Sequence, residues 1–272
     1  MPELPEVETT VQGIRPFLEG KTIDRLIVRD RRLRWPIDDG LPAFLQGKKV
    51  SMLGRRGKYI LVFLEAGGGL LIHLGMSGSI CVVSPGDPVR KHDHFDLVTQ
   101  EGAALRYHDP RRFGCLLFDT VNPASHPRLR GLGVEPFDER FGGELLHAQG
   151  KSRRIPVKSL VMNGGIVVGA GNIYACESLF RSGIHPKRRS DRISLQRYWT
   201  LAQAIQEVLT RAIEKGGTTL KDFSGADGNP GYFEQELLVY GREGEACRRC
   251  GSGIRRIVLN QRSTFFCATC QR

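Results

Sequence analysis

The stretch 58-KYILVFLEAGGGLLIHLGMSGSICVV-83 decides the fold of the first half of the chain. Two apolar, β-prone runs lie on either side of the glycines at 67–69, a pattern typical of strands joined by a turn. Further short β-rich runs, separated by Gly, Asp and Pro, extend from Thr22 to about Asp119. The pattern predicts an antiparallel β-sandwich or barrel.

A short amphipathic helix is predicted to precede these strands and to pack against them. Its apolar positions recur at helical spacing: Val7, Val11, Ile14 and Leu18. Pro5 is favoured in a first helical turn, so the helix begins almost at the N-terminus. We expect Pro16 to end or bend it.

The second half of the chain has a helical period. The segment 136–156 mixes Gly, Pro and charge and is the candidate domain boundary. One face of a long helix is traced by Leu195, Tyr198, Ala202, Ile205, Leu209 and Ala212. This helix should stop at the glycines 216–217, and a shorter one should begin near Asn172, a good cap residue. Residues 216–236 are too polar and glycine-rich for a regular element, which predicts a functional or mobile loop.

Charge is distributed unevenly along the 272 residues, whose net charge is +11. Residues 1–150 hold 20 Lys and Arg against 19 Asp and Glu, whereas residues 151–272 hold 20 against 10. A basic second half is expected of a surface that binds a polyanion such as nucleic acid, although a solvated basic face is the alternative. No apolar run reaches the roughly 18 residues of a membrane span, and the acidic start is unlike a secretory signal. We therefore expect an intracellular protein.

Four cysteines near the C-terminus form two C-x2-C pairs with sixteen residues between them: Cys247, Cys250, Cys267 and Cys270. This spacing is typical of structural zinc, with two disulfides or an iron–sulfur cluster as alternatives. Four protein ligands leave no open position, so the metal should stabilise the fold. The β-prone runs between the pairs predict a hairpin with Arg262 at its tip, where it could contact a phosphate. The remaining cysteines are expected to be buried reduced thiols: Cys81, Cys115 and Cys176.

Eight motifs occur along the chain: MPELPEVET (1–9), GRRGKYI (54–60), HLGMSGS (73–79), KHDHFDL (91–97), DPRRFG (109–114), GNIYACESLF (171–180), GGTTLKDF (216–223) and the four-cysteine segment. Together they closely resemble those of bacterial formamidopyrimidine-DNA glycosylases, and the resemblance runs from residue 1 to residue 272. It implies an α+β protein of two domains. An N-terminal antiparallel β-sandwich with a leading helix would precede a helix-two-turns-helix domain with a four-cysteine zinc finger hairpin. The expected bounds are 1–135 for the sandwich, 136–153 for a linker, 154–236 for the helical domain and 238–272 for the finger.

The resemblance implies catalytic roles for residues from both halves of the chain. Once Met1 is removed, Pro2 is a secondary amine that can attack C1′ of a damaged nucleotide and form an imine. Glu3 would be the proton donor beside it, and Glu6 a supporting carboxylate. Lys58 would donate a proton in β-elimination and Arg262 in δ-elimination. Because arginine stays protonated at physiological pH, its side chain favours a role for Arg262 as a phosphate clamp over a role as a proton donor.

Other residues match DNA-contacting positions of the family: His92, Arg111, Arg153, Met76, Phe113, Lys158 and Asn172. An enzyme that acts on a base must take it out of the duplex. Phe113 would be the apolar wedge, Arg111 would contact the orphaned base and Met76 would fill the void, although core positions are the alternative for the two apolar residues. Lys151 or Arg154 could replace Arg153, because that stretch aligns only approximately.

The implied activity is base excision repair of oxidised purines. The enzyme would remove 8-oxoguanine and formamidopyrimidines from double-stranded DNA and cleave the abasic site by β,δ-elimination. We expect one structural zinc ion, a monomer and a location in the bacterial cytoplasm. The loop 216–236 would recognise the lesion. The nearest alternative is an endonuclease VIII-type glycosylase for oxidised pyrimidines, and a non-catalytic zinc-ribbon DNA-binding protein is the alternative from another class.

Overall fold

A computed structural model of the protein describes residues 2–84, 86–218 and 233–272, with the side chain of Glu234 excepted. The chain forms two compact units. The first comprises the residues up to Arg130 together with a second stretch that begins at Lys215. The second comprises Gly131–Glu214 and Phe233–Arg272. Across the described ranges, no helix is both long and apolar enough to cross a bilayer. The domain bounds expected from the sequence stay predictions.

The first unit is built from two antiparallel sheets. Its elements are α1 (Leu4–Leu18), β1 (Ile23–Val28), α2 (Leu41–Leu45), β2 (Val50–Arg56), β3 (Tyr59–Leu64), β4 (Gly69–His73), β5 (Ser79–Val83), β6 (Asp93–Thr99), β7 (Ala104–His108) and β8 (Cys115–Asp119). One four-stranded sheet has the order β1-β6-β7-β5 and the other the order β2-β3-β4-β8. Two short 3-10 helices, Pro123–Ser125 and Pro127–Leu129, follow the last strand.

Both sheets and α1 contribute side chains to one hydrophobic core. Val11 of α1, Ile60 of β3 and Phe95 of β6 are each at most 2% exposed and belong to the same cluster. Two separate sheets packed on a common core form a sandwich and not a closed barrel. The predicted β-sandwich with a leading helix is therefore confirmed.

Helix α1 extends further than the sequence predicts. It begins at Leu4, with Pro5 in its first turn, but continues through Pro16 to Leu18. Pro16 lies so close to the C-terminal end of α1 that its missing N–H removes a hydrogen bond only from the last turn of the helix. Ile14 and Leu18 are fully buried on either side of it, so packing against the sandwich keeps this turn helical.

The second unit is mainly helical. Its elements are α3 (Gly143–Lys151), α4 (Val157–Val161), α5 (Asn172–Arg181), α6 (Leu195–Glu214), β9 (Arg255–Leu259) and β10 (Arg262–Phe266), with 3-10 turns at Ser190–Arg192 and Phe233–Glu236. The long predicted helix is confirmed as α6, and the left-handed Gly216 lies just after it. Leu195 is an exception to the predicted buried face, because it starts the helix and is 41% exposed. Most of the predicted loop 216–236 lies outside the described residues.

The hairpin of β9 and β10 lies between the two cysteine pairs, as predicted. Its turn is shorter than expected, because Arg262 already pairs with Leu259 as the first residue of β10. Asn260 and Gln261 form the two-residue turn with φ of 48° and 60°. Left-handed conformations at both central positions match the twist of a type I′ hairpin. Arg262 therefore emerges, exposed, directly beside the turn.

The segment before the first cysteine pair is held by one buried glutamate side chain. Glu177 of α5 is 1% exposed and accepts hydrogen bonds from the backbone amides of Leu238, Val239 and Tyr240 at 2.8–2.9 Å. Burial raises the pKa of Glu177 even though the three amides favour its charged form. A short run of amides thus has a side-chain carboxyl acceptor in place of water.

We predict that Glu177→Ala lowers the free energy of unfolding of the second unit by about 3 kcal/mol, because three largely buried amides lose their acceptor. Urea denaturation measures the change. Glu207→Ala, an exposed glutamate on α6, is the control and should change the free energy by no more than about 0.5 kcal/mol. Equal changes in the two variants would contradict the assigned role.

Candidate active site and metal centre

The N-terminus of α1 brings together Pro2, Glu3 and Glu6. Glu3 is the N-cap of the helix, and Pro2 precedes it directly and is buried. Glu3 and Glu6 are each 2% exposed. Glu6 Oε2 accepts a hydrogen bond from the Glu3 backbone N–H at 2.8 Å. Pro2 and Glu3 are therefore enclosed in the protein.

Glu6 also binds the beginning of the glycine-rich segment. Its Oε1 accepts a hydrogen bond from the Thr218 backbone N–H at 2.9 Å. Gly217 has φ of +82°, and a Cβ at this position would lie 3.1 Å from Glu6 Oε1. A glycine thus permits both the turn and the close approach. The Glu6 carboxylate thus connects the start of α1 to the first residues of the predicted recognition loop.

Lys58 lies in the turn between β2 and β3, one residue before β3 begins, whereas the sequence pattern places it at the start of the strand. Gly57 occupies the first central position with φ of +58°, as in a type II′ hairpin. Arg55 Nη1 donates to the Gly57 carbonyl at 3.1 Å, and Arg55 Nε donates to Glu8 Oε2 at 2.8 Å. Since Glu8 belongs to α1, the Lys58 turn is held by the helix that begins beside Pro2 and Glu3.

His73 is a site residue that we did not single out from the sequence. It ends β4, and its Nδ1 accepts a hydrogen bond from the Gly75 backbone N–H at 2.9 Å. Burial, and then the positive charges of Lys58 and Arg34, lower the pKa of His73 to about 4. The imidazole is therefore neutral near pH 7, with its proton on Nε2. The only sequence signal was its place at the head of the HLGMSGS motif.

Two neighbouring loops bring Met76, Arg111 and Phe113 together. A cavity of about 450 Å³ is lined by Arg34, His73, Gly75, Met76 and Phe113. Phe113 is 48% exposed, and the Arg111 guanidinium lies 5.0 Å from the centre of its ring. Exposure of a large aromatic side chain beside a cavity rules out the core alternative for Phe113. Met76 is half-buried at the rim.

His92 lies in the loop before β6 and has a left-handed backbone, with φ of 75°. Its ring meets that of His108 edge to face, with 6.2 Å between the centroids. Partial burial and the charge of Lys91 lower the pKa of His92. A neutral imidazole with its edge at the surface can donate a hydrogen bond to a phosphate oxygen.

In the second unit, Lys158 and Asn172 lie together under the zinc finger hairpin. Lys158 is 2% exposed, and its Nζ donates to Asn172 Oδ1 at 2.5 Å and to Thr264 Oγ1 at 2.6 Å. Asn172 Nδ2 donates to the Ser263 carbonyl at 2.9 Å. Gly171 is the cap of α5, so the predicted capping role of Asn172 is wrong. Its amide binds the hairpin instead.

The hairpin beside these residues presents Arg262 at a small cavity. This cavity, of about 210 Å³, is lined by Lys158, Ser159, Met162, Leu259, Asn260 and Arg262. Asn260 Nδ2 donates to Ser159 Oγ at 2.8 Å, which joins the hairpin turn to α4. Arg153 lies elsewhere in the unit, half-buried, and donates to the Gln149 carbonyl and side chain. Its neighbours Lys151 and Arg154 are both exposed.

The four C-terminal cysteines converge on one point. Their sulfur atoms all lie within 4.8 Å of one another, with 3.9 Å between Cys247 and Cys270 and 3.5 Å between Cys250 and Cys267. A tetrahedral zinc ion with Zn–S bonds of about 2.3 Å requires S–S separations near 3.8 Å. Disulfides, at about 2.05 Å, do not fit these distances. The residues therefore fit one structural zinc ion, and the disulfide alternative is wrong.

The other cysteines are not among the four converging sulfurs: Cys81, Cys115 and Cys176. Cys176 packs in the same buried apolar cluster as Cys247 and Cys267. Cys115 and Cys176 are buried as predicted, whereas Cys81 on the edge strand β5 is half-buried. Burial raises the pKa of Cys115 to about 11, which makes it a poor nucleophile.

Comparisons with known proteins cover nearly the whole chain. Models of the formamidopyrimidine-DNA glycosylase N-terminal domain, of its H2TH domain and of a zinc finger found in FPG and IleRS match residues 1–116, 132–224 and 244–272. The chain is 51% identical to the formamidopyrimidine-DNA glycosylase of Xanthomonas axonopodis pv. citri and 52% identical to that of Pseudomonas aeruginosa, over 100% of each chain.

Solved structures agree with this match. The MutM (FPG) protein of Thermus thermophilus superposes with a TM-score of 0.88 at 38% identity, covering 99% of this chain and 98% of the other. A Lactococcus lactis FPG mutant in complex with Fapy-dG-containing DNA superposes with a TM-score of 0.92 at 30% identity, covering 100% of both chains. With these matches and a fitted four-thiolate centre, the chain belongs to the formamidopyrimidine-DNA glycosylase family.

Proposed function

We propose that this protein is a bifunctional base excision repair enzyme. It removes oxidised purines, including 8-oxoguanine and formamidopyrimidines, from double-stranded DNA and cleaves the resulting abasic site by β,δ-elimination. The observation that carries the proposal is the buried N-terminus of α1, where Pro2 directly precedes Glu3, whose backbone N–H donates to the Glu6 carboxylate. Full-length identity to family members supports the same conclusion.

The proposed first step uses the chain terminus as a nucleophile. After Met1 is removed, the α-amino group of Pro2 has a reference pKa of about 7.7–8.0, so an appreciable fraction is uncharged near pH 7. Its nitrogen attacks C1′ and the damaged base leaves. The C1′–O4′ bond then breaks as Glu3 donates a proton to the sugar ring oxygen, and the electron pair on nitrogen forms the imine.

The proposed second step cleaves the DNA strand. The imine acidifies the C2′ proton, so loss of this proton expels the 3′ phosphate by β-elimination, with Lys58 as the proton donor. Arg262 assists the following δ-elimination, in which the 5′ phosphate leaves. The exposed guanidinium beside the hairpin turn suits a phosphate clamp. Lys158 and Asn172 hold the hairpin that carries it.

The DNA contacts belong to two groups. Met76, Arg111 and Phe113 would occupy the space left by the extruded base, since Met76 and the exposed Phe113 line one cavity and the Arg111 guanidinium lies against the Phe113 ring. His92, Arg153, Lys158 and Asn172 would contact phosphates, with Lys151 or Arg154 as replacements for Arg153. We further propose that the enzyme is a monomer in the bacterial cytoplasm, on nucleoid DNA. We keep the domain bounds 1–135, 136–153, 154–236 and 238–272.

The lesion class is tested by comparing two duplexes. We expect faster single-turnover cleavage of 8-oxoguanine opposite cytosine than of thymine glycol. The Glu3→Gln variant should lose base excision by about 100-fold or more, because it lacks the acid. Preference for thymine glycol would favour the endonuclease VIII-type alternative. Binding without cleavage of either duplex would favour the non-catalytic alternative.

Removal of the metal should separate DNA binding from the folding of the first unit. We expect one zinc ion per chain by elemental analysis, and its loss in Cys250→Ser should weaken duplex binding because the hairpin with Arg262 unfolds. The sandwich should keep its thermal transition. Cys81→Ala is the control and should retain zinc and affinity. Unchanged affinity after complete zinc loss would contradict the assigned role.

A further inference from the structure

The two loops that carry Met76, Arg111 and Phe113 are joined by one buried carboxylate. Asp109 is 0% exposed. Its Oδ1 accepts a hydrogen bond from Ser77 Oγ at 2.7 Å, and its Oδ2 accepts one from the Gly114 backbone N–H at 2.9 Å. Ser77 follows Met76 directly, and Gly114 follows Phe113 directly. The two oxygens of one side chain thus hold both loops.

Ser77 extends this connection to the third residue. Its hydroxyl oxygen accepts a hydrogen bond from the Arg111 backbone N–H at 3.2 Å while its proton goes to Asp109. Ser77 is itself 5% exposed. A continuous chain of hydrogen bonds therefore runs from the Gly114 amide through Asp109 and Ser77 to the Arg111 amide. Both bonds to the Asp109 carboxyl, at 2.7 Å and 2.9 Å, have the usual lengths of well-formed hydrogen bonds.

The surroundings of Asp109 leave little freedom. The Tyr107 hydroxyl lies 3.4 Å from Oδ2, and His94 Nε2 donates to the Asp109 carbonyl at 2.8 Å. A Cβ on Gly114 would fall 1.7 Å from the Tyr107 oxygen, and one on Gly75 would fall 2.4 Å from the Phe113 carbonyl carbon. The loops are so closely packed that only glycine fits at these two positions.

We propose that Asp109 is a positioning residue that keeps Met76, Arg111 and Phe113 as one preorganised wedge. Extrusion of a base costs a few kcal/mol of lost pairing and stacking. Inserted side chains offset this cost best when they are already ordered, because their ordering then takes no binding energy. Asp109 therefore acts in the opening of a paired lesion and not in bond cleavage at C1′. This inference rests on the proposed function.

The test compares two substrates that differ in their need for the wedge. One is 8-oxoguanine paired in a duplex, and the other is a preformed abasic site in single-stranded DNA. Asp109→Asn and Ser77→Ala should slow cleavage of the first by about 10-fold or more and change cleavage of the second by less than about 2-fold. A duplex in which 8-oxoguanine lies opposite an abasic site, and is therefore unpaired, should restore most of the lost rate. A general folding defect would not be relieved in this way.

Thr99→Ala is the matched control. Thr99 is also buried, but its hydroxyl donates to the Ala103 carbonyl in the turn that follows β6. It should leave the ratio of the two rates unchanged. Ser77→Ala removes a single hydroxyl and serves alone if Asp109→Asn fails to fold. Equal losses on both substrates, or no loss on either, would overturn the proposal. A wild-type protein inactive on both substrates would overturn the proposed function instead.

Discussion

The chemistry proposed for this protein depends on one constraint: the chain terminus must be held in place without a preceding residue to anchor it. Glu6 meets this constraint by accepting hydrogen bonds from the Glu3 amide with one oxygen and from the Thr218 amide with the other. Helix α1 is itself buried against the two sheets through Val7, Val11 and Ile14. The position of Pro2 thus depends on the packing of α1 in the sandwich core. The Glu8–Arg55 ion pair connects the same helix to the turn that holds Lys58.

The acidic residues at the N-terminus and the basic residues of the second half lie in different surroundings. The acids at the N-terminus are buried or paired, and Glu3 is the N-cap of α1. The excess of basic residues lies in residues 151–272, where exposed cations such as Arg154 and Arg262 suit a polyanion. Even there, not every cation is a surface contact. Lys158 is buried and donates hydrogen bonds to Asn172 and to Thr264 of the zinc finger hairpin.

Sequence patterns predicted the features that depend on local spacing. The β-rich runs, the periodic face of α6 and the paired cysteines all correspond to elements in the structure. Features that depend on distant residues could not be predicted. Asp109 and Ser77 are 32 positions apart, and Lys158 and Thr264 are 106 apart, so no local pattern pairs them. Asn172 was misread for the same reason, because its amide binds a hairpin 91 residues away instead of capping its own helix.

The most direct test of the account is to identify the atom that bonds to DNA. Mature protein would be incubated with a duplex containing 8-oxoguanine in the presence of borohydride, which reduces an imine to a stable amine, and the digested adduct analysed by mass spectrometry. The account predicts that the added mass lies on the N-terminal peptide, at Pro2. It also predicts that Glu3→Gln still forms this adduct with a preformed abasic site. An adduct on a lysine such as Lys58, or none at all with active protein, would contradict it.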